Sequence, residues 1–368
     1  MATRPGRGRV SAGGPLGGVR VVDFSLYLPG PYATRLLADL GAEVVRVEPP
    51  RGDPVRQFMP GAYEWLNRGK RAVRLDLKSD DGREQAHDLL RSADVVVEGF
   101  RPGVADRLGI GPEQAAVLRP GVIFCSLSGY GQTGPDRDRP GHDIGYEAGG
   151  GAYAAVLAAG EWPSVPHVPV GDLGGGLFAA MSICAALAGR DDEDLVRVDV
   201  SLQEVVTHMS IPRVAGFLRD GIEPEPETLA TFAPGTGLFE TADRAWVALA
   251  AVEDHFWERM CGALDLPALA KPPYDAHRGR MAHRTELRVA IAGRVGELTL
   301  AELTGRLDAC DVPMDLVRGI ADVCADPHLR SRGMVRTGAD GGTVVDFPVV
   351  IDGRRSVASD LPADLSRQ

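Results

Sequence analysis

The sequence predicts an α/β fold, with a large Rossmann-like domain built on a parallel sheet and a smaller α+β domain after it. In the first half of the chain, short valine-rich apolar segments alternate with segments whose apolar residues have helical spacing. A Pro-rich acidic stretch at 223–234 then separates this half from a hairpin pattern and several amphipathic helices. At 368 residues the chain is also too long for a single simple core.

The first half of the chain predicts βαβ units. Short apolar runs predict strands at 19–24, 43–48, 72–77, 94–100 and 121–128. Helical spacing predicts a helix at 32–40 that ends at Gly41, and another at 79–91 with Ser79 as its N-cap. Helices between neighbouring strands favour parallel pairing, because parallel strands need a crossover connection.

The second half of the chain predicts a different packing and a second domain. A Gly- and Pro-rich loop at 131–141 leads into two helices of small residues, a strand and an amphipathic helix, at 143–159, 173–188, 197–201 and 202–219. Beyond the acidic stretch, the pattern predicts a hairpin, three helices and a strand, at 237–251, 254–264, 285–295, 300–309 and 312–317. We therefore expect a disordered tail at 1–16, a large domain at 17–222, a small domain with linkers at 223–325, and a segment at 326–368 that returns to the large domain.

Composition argues against several classes of function. A formal net charge of −11 disfavours general binding to nucleic acid or to anionic membranes, which requires a basic surface. We find no membrane-spanning run of about 18 apolar residues and no apolar core of a secretory signal. The five cysteines are widely spaced and the histidines lack ligand spacing, so we expect a cytoplasmic protein with reduced thiols and no metal site.

The first chemical candidate is a basic cluster. Asn67-Arg68-Gly69-Lys70-Arg71 forms a predicted turn before a strand that ends at Lys78, and Arg46 and Arg101 lie near other strand ends. Cations there could bind phosphate oxygens, because ligands of open α/β sheets bind at the strand ends. The alternative is a solvated run of charge. Neither a GxGxxG dinucleotide pattern nor a P-loop is present.

The second candidate is the tripeptide Gly141-His142-Asp143. A histidine that follows a Pro-rich loop at a predicted helix start suits acid–base catalysis, because histidine exchanges protons near neutral pH. Taken alone, the same pattern is more typical of a structural or surface histidine.

The third candidate is Asp172, which precedes Leu173 and a run of glycines. An aspartate at a helix start is commonly an N-cap. Gly174, Gly175 and Gly176 each cost a helix about 1 kcal/mol relative to alanine, so something must require a bare backbone there. A ligand approaching the helix N-terminus would do so, and its N–H groups could hold a developing oxyanion.

These clusters occur together in one known family. From about Gly17 to Met334, the chain resembles the family III CoA-transferase superfamily (the carnitine/bile-acid CoA-transferase type), and most closely the alpha-methylacyl-CoA racemases. The resemblance rests on the segments LADLGAEV, NRGKR, LDLK, GYGQTGP, GHD and GD, which begin at Leu37, Asn67, Leu75, Gly129, Gly141 and Gly171.

The resemblance implies an acyl-CoA thioester as substrate, no cofactor beyond coenzyme A, and an interlocked homodimer. In the racemases, the His of GHD and the Asp of GD are the two catalytic bases, which implies His142 and Asp172 here. Glu240 matches a glutamate that the racemases bring toward the site from the small domain. The residues implied to bind CoA or substrate are Arg46, Arg68, Leu75, Lys78, Glu98, Arg101, Tyr130, Gly141, Asp143, Tyr146, Gly174 and Gly175.

The leading hypothesis is racemisation of a 2-methyl acyl-CoA by 1,1-proton transfer through an enolate, with His142 and Asp172 on opposite faces of the α-carbon. The N–H groups after Asp172 would stabilise the enolate. The alternative is CoA transfer between carboxylic acids through an acyl intermediate on Asp172. The runs VEPPRGDP, from Val47, and WLNRGK, from Trp65, resemble the transferases more closely. A non-catalytic CoA-binding protein is a third hypothesis.

Overall fold

The computed structural model describes residues 14–154, 168–189, 194–221, 233–339 and 341–356. Most of the predicted tail and linker, and the end of the predicted helix at 143–159, therefore lie outside the described residues. Of the residues described, 14–154, 168–221 and those from 327 onward form one compact unit, here called the large unit. Residues 233–326 form a second, here called the small unit.

The large unit is built on a sheet that has six strands within the described residues. They are β1 Arg20–Asp23, β2 Glu43–Glu48, β3 Arg71–Arg74, β4 Val95–Glu98, β5 Ile123–Ser128 and β6 Val196–Ser201. Their order is β3-β2-β1-β4-β5-β6 and all pairs are parallel. The predicted Rossmann-like sheet is confirmed, and its strand order reverses between β1 and β4, where such sheets bind ligands.

Helices cover both faces of this sheet. They are α1 Pro29–Asp39, α2 Val55–Phe58, α3 Pro60–Asn67, α4 Asp80–Leu90, α5 Val104–Arg107, α6 Pro112–Leu118, α7 Asp143–Gly149, α8 Val170–Gly189, α9 Leu202–Met209 and α10 Ile211–Asp220. Because side chains alternate along a strand, Val21 packs in a core with residues of α1 and α8, and Val22 packs in another with residues of α4 and α6.

Three helices differ from their predicted bounds for reasons of backbone chemistry. α1 begins at Pro29, because Pro29 and Pro31 occupy a first turn whose N–H groups need no helical partner. The predicted helix at 202–219 is two helices, since Pro212 lacks the N–H that would continue α9. α7 ends at Gly149, where a run of glycines follows. Ser79 caps α4 as predicted and accepts the Gly82 N–H at 3.0 Å.

The sequence predicts no apolar run long enough to span a membrane, but α8 is one helix that meets that criterion. By length and composition it could cross a membrane, although 39% of its most apolar window is buried inside the protein. Ala179, Ala180 and Ile183 of α8 lie in the hydrophobic core of the large unit. A core helix can therefore meet the same criterion, and the composition alone does not make α8 a membrane span.

The small unit is α+β, as predicted. Its antiparallel sheet contains β7 Thr236–Glu240, β8 Trp246–Ala250 and β9 Met314–Leu316 in that order. Its helices are α11 Asp254–Ala263, a 3₁₀ turn at Pro267–Ala270, α12 His277–Ala282, α13 Arg284–Val295, α14 Leu300–Ala309 and α15 Ile320–Ala325. Trp257, Val247 and Leu287 lie in the core of this unit.

The C-terminal residues belong to the large unit. They form α16 Pro327–Ser331, β10 Val335–Thr337, β11 Thr343–Val345, β12 Val350–Ile351 and β13 Arg354–Arg355. The Trp65 indole donates to the Val345 carbonyl at 3.0 Å, and Arg68 pairs with Asp346 at 2.8 Å. These contacts attach the segment to α3. All five cysteines are free.

Candidate functional site

Three neighbouring strands end at one edge of the sheet, and two of them lead into predicted site residues. β1, β4 and β5 are adjacent and parallel, so their carboxyl ends lie at the same edge. Arg101 follows β4 and Tyr130 follows β5. Tyr27, which the sequence did not single out, follows β1.

Asp172 lies in the first turn of α8, whose start is held by the carboxylates of α7. The Asp172 N–H donates to Asp143 Oδ1 at 2.8 Å, and the Val170 N–H donates to Glu147 Oε1 at 3.0 Å. Asp143 also accepts the Gly171 N–H, and the Leu173 N–H bonds the Pro169 carbonyl at 2.9 Å. The prediction that this helix start offers free N–H groups to an oxyanion is therefore wrong, because they are already bonded.

The glycines after Asp172 serve helix packing. A Cβ atom on Gly175 would lie 2.2 Å from Leu202 Cδ2 of α9, and one on Gly176 would lie 2.6 Å from the Pro29 carbonyl oxygen of α1. One on Gly174 would lie 2.8 Å from Met209 Sδ. Only a bare backbone permits this approach. The prediction that Gly174 and Gly175 face a ligand is corrected, because all three glycines are buried against other helices.

The electrostatics of the site centre on Asp172. Burial raises the pKa of Asp172 to about 7, and the negative charges of Asp143 and Glu147 act in the same direction. Burial also raises the pKa of Asp143 to about 6, although the N–H of Asp172 stabilises its ionised form. Asp172 therefore exchanges its proton near neutral pH.

Aromatic residues surround this carboxylate cluster. Tyr146 of α7 is buried and meets Tyr130 edge-on, with 5.5 Å between ring centroids. A Cβ on Gly141 would lie 2.4 Å from Tyr146 Cε1, so that glycine makes room for the ring. Burial raises the pKa of Tyr146 to about 12, the charge of Asp172 adds to this, and Arg101 opposes it. The structure thus groups Arg101, Tyr130, Gly141, Asp143 and Tyr146 with Asp172.

His142 lies at the exposed rim of the same group. It is the N-cap residue of α7 and its ring is edge-on to Tyr27, with 6.2 Å between centroids. Within the described part of the chain, no hydrogen bond joins His142 to Asp172, whose N–H instead bonds Asp143. Tyr27 is 45% exposed and its N–H donates to Asp53 at 3.3 Å.

A cavity of about 290 Å³ opens at the carboxyl ends of the strands. Its wall is mostly apolar and includes Phe24, Leu26, Leu75 and Phe100, whereas Lys78 is exposed at its edge. Leu75 and Lys78 were predicted to bind CoA, and the apolar lining from β1 and the region after β4 was not predicted.

Several predicted binding residues are instead enclosed in the protein. Arg46 is 0% exposed and pairs with Asp23, Glu48 and Asp53. Arg68 is buried in its ion pair with Asp346. The prediction that these two arginines bind ligand phosphates is corrected, because carboxylates of this chain already occupy them.

Two further residues considered in the sequence are buried in the large unit, and one lies in the small unit. Glu98 is buried, accepts the Phe100 N–H at 2.7 Å, and has a pKa that burial raises to about 7. Lys70 is also buried, contacts Thr34 Oγ1 at 2.7 Å, and has a pKa that burial lowers to about 7. Glu240 lies in β7 of the small unit, where it pairs with Arg244 at 3.3 Å.

Sequence reasoning missed Glu147, which one signal could have revealed. Asp143 and Glu147 are four residues apart, and a helix was predicted to start at Asp143. Residues at that spacing share a helix face, so both carboxylates could have been expected to contact the same neighbour. Tyr27 offered no comparable signal.

Comparison with known proteins places these features in context. The family model for CoA-transferase family III matches residues 16–363. The succinyl-CoA–D-citramalate CoA-transferase of Chloroflexus aurantiacus is 33% identical over 86% of this chain and 82% of its own length. The succinate–glutarate CoA-transferase of Agrobacterium fabrum is 31% identical over 90% and 87% of the two chains.

Solved structures agree with these relatives. A CAIB/BAIF family protein from Brucella suis superposes with a TM-score of 0.84 at 26% identity, covering 96% of this chain and 97% of its own. These comparisons favour the transferase hypothesis, and they do not support the racemase hypothesis that the GHD tripeptide suggested.

Proposed function

Because the chain belongs to family III of the CoA-transferases, we propose that it moves coenzyme A between carboxylic acids through an acyl intermediate on Asp172. The observation that carries the proposal is the placement of the Asp172 carboxylate. It is partly accessible, lies among Asp143, Tyr146 and Glu147, and has a pKa of about 7. A carboxylate in such surroundings suits nucleophilic attack at neutral pH.

The transfer proceeds by four balanced displacements. An Asp172 oxygen attacks the donor thioester carbon, the C–S bond breaks, and CoA thiolate leaves behind an acyl anhydride. The thiolate attacks the aspartyl carbonyl and releases the first acid as a carboxylate. The second carboxylate attacks the aspartyl thioester, breaks its C–S bond and forms a second anhydride with Asp172. The CoA thiolate then attacks the acyl carbonyl of that anhydride, which gives the new thioester and releases Asp172 as a carboxylate. No net proton is consumed. Each displacement begins with a carboxylate or a thiolate as the nucleophile, so the ionised form of Asp172 is the one required.

The apolar cavity is the proposed site of the CoA nucleotide. A flat, uncharged adenine ring suits the wall formed by Phe24, Leu75 and Phe100. Lys78 at the edge supplies a cation for a phosphate group. The cavity and Asp172 both lie in the large unit, beyond strands of one sheet.

We further propose that the chain self-associates and acts in the cytoplasm on free thioesters. Large apolar side chains of α8, α9 and α10 are exposed, namely Leu177, Met181, Met209, Ile211 and Leu218. Exposed apolar groups on successive helices are typical of a protein interface, and a second copy of this chain is the proposed occupant. Free thiols agree with a reducing compartment.

An exchange assay tests the proposed activity. The protein is incubated with succinyl-CoA and isotopically labelled D-citramalate or glutarate, the acids named in its relatives, and new thioesters are followed by mass spectrometry. Asp172→Asn should abolish transfer, because an amide cannot attack the thioester. Asp88→Asn, at a carboxylate that is 67% exposed on α4, is the matched control and should keep full activity.

Two further experiments distinguish the racemase hypothesis from the transferase proposal. His142→Ala should retain part of the transfer activity, whereas racemisation would require this side chain. Incubation of branched acyl-CoA in deuterated water should give no α-deuterium under the transferase proposal. Deuterium incorporation without CoA exchange would contradict the transferase proposal and support the racemase hypothesis.

A further inference from the structure

Glu147 is a buried carboxylate that bonds the backbone two residues before Asp172, and the transfer mechanism does not use it. Its side chain is enclosed, with the residue only 1% exposed. Glu147 Oε1 accepts the Val170 N–H at 3.0 Å, Oε2 accepts the Tyr153 hydroxyl, and the Asp143 carboxylate is a near neighbour. A buried carboxylate is costly unless it is paired, and no cation is among these contacts.

The hydrogen bonds indicate where the charge resides. Glu147 accepts one hydrogen bond from an amide N–H and one from a hydroxyl, and both stabilise a negative charge on its carboxylate. A negative charge is therefore fixed beside the start of the helix that carries Asp172.

We propose that Glu147 is a positioning residue whose buried negative charge raises the free energy of the Asp172 carboxylate relative to the anhydride formed on it. This inference rests on the proposed transferase function. When the C–O bond to the acyl group forms and the C–S bond breaks, the negative charge leaves with the CoA thiolate. Asp172 becomes neutral, and its repulsion by Glu147 ends. Glu147 thus favours the covalent intermediate without touching the substrate.

The groups that face Asp172 define the expected pH behaviour. α7 contributes Asp143, Tyr146 and Glu147, while Tyr130 beyond β5 and Arg101 beyond β4 interact with Tyr146. Burial is the main cause of the raised pKa of Asp172, and the charges of Asp143 and Glu147 add to it. Removing the charge of Glu147 alone should lower that pKa.

Glu147→Gln tests the inference, because the amide oxygen can still accept the Val170 N–H while the charge is lost. The acid limb of kcat/KM should move to lower pH by about one unit, which corresponds to about a tenfold change in the ionisation equilibrium. With acyl-CoA alone at about pH 8, where Asp172 is ionised in both proteins, the fraction of Asp172 trapped by hydroxylamine should fall about tenfold.

Glu113→Gln is the matched control, since it removes one negative charge from a residue of the same unit whose side chain is 77% exposed. It should change neither readout. If Glu147→Gln does not fold, Tyr153→Phe removes the hydroxyl that stabilises the ionised Glu147 and should shift the acid limb in the same direction, but less. An unchanged or upward-shifted limb with normal trapping would overturn the inference. Absence of any trapped Asp172 in the wild-type protein would instead overturn the proposed function.

Discussion

At the scale of single residues, the reactivity that we propose for Asp172 follows from its enclosure. Water stabilises a carboxylate by hydrogen bonding, and burial removes part of that stabilisation. Asp143 and Glu147 add like charge, and the positive end of α8 offsets this only in part, because its N–H groups are bonded to those same two carboxylates. The result is a carboxylate that is about half ionised at neutral pH and destabilised in the way that the proposed nucleophile requires.

The raised pKa of Asp172 predicts the pH dependence of the transferase. Since only the ionised carboxylate attacks, kcat/KM should fall about tenfold per pH unit below the pKa of about 7 and level off above it. Initial rates with succinyl-CoA, measured from about pH 5 to pH 9 at constant ionic strength, check this. A rate that stays level down to about pH 5 would contradict the assignment of Asp172 as nucleophile.

Lys78 should affect binding rather than chemistry. It is exposed at the edge of the apolar cavity, so Lys78→Ala removes a charge that we propose to contact only the nucleotide end of CoA. We expect KM for acyl-CoA to rise about tenfold with kcat unchanged, and the effect to shrink at high salt. Steady-state kinetics measure this, with Arg91→Ala, at the exposed arginine that follows α4, as the control. A fall in kcat alone would contradict it.

Single-residue roles could be predicted from the sequence only where the local pattern determines the contact. Asp143 and Asp172 begin predicted helices, and the structure joins them by a hydrogen bond. Arg46 had the right chemistry for phosphate, yet its partners include Asp53, which the turn after β2 brings back beside it. Such burial depends on tertiary packing, and no pattern around Arg46 indicates it.

At the scale of secondary-structure elements, hydrogen bonds between α7 and the start of α8 hold Asp172 in place. α7 provides two carboxylates one turn apart, and these bond the first N–H groups of α8. The glycines of α8 then allow it to lie close to α1 and α9. The sequence did show that the glycines had a purpose. It could not show which purpose, because the contacted residues Pro29 and Leu202 are remote along the chain.

Substitutions of glycine should separate packing from helix propensity. Gly176→Ala would place a Cβ 2.6 Å from the Pro29 backbone oxygen, which cannot easily move away. We expect it to lower the free energy of unfolding of the large unit by about 1–3 kcal/mol. Gly293→Ala in α13 meets no atom within 4 Å and should stabilise the small unit by up to about 1 kcal/mol. Denaturant titrations followed by circular dichroism measure both, and a stabilising Gly176→Ala would contradict the packing role.

At the scale of the whole molecule, the parallel sheet determines where the chemistry occurs. Valine-rich runs between helical segments were sufficient to predict that sheet, since each strand is short, apolar and bounded by turn residues. The carboxyl ends of β1, β4 and β5 then bring residues from distant parts of the chain to one edge. What the sequence could not distinguish was racemase from transferase, because both would place the same Asp172 at that edge.

The exposed apolar side chains of α8 and α10 lead to a prediction about assembly. Met181 is 54% exposed and Leu218 is 72% exposed, so water contacts apolar area that a second copy of the chain would cover. Light scattering should give twice the mass of one chain, and Met181→Glu combined with Leu218→Glu should reduce it to a single chain, because a buried interface does not tolerate unpaired carboxylates. Val117→Glu is the control, since Val117 is 77% exposed on α6, which packs on the opposite face of the sheet. A monomeric wild-type protein, or a dimer that Val117→Glu disrupts equally, would show that these helices do not form the interface.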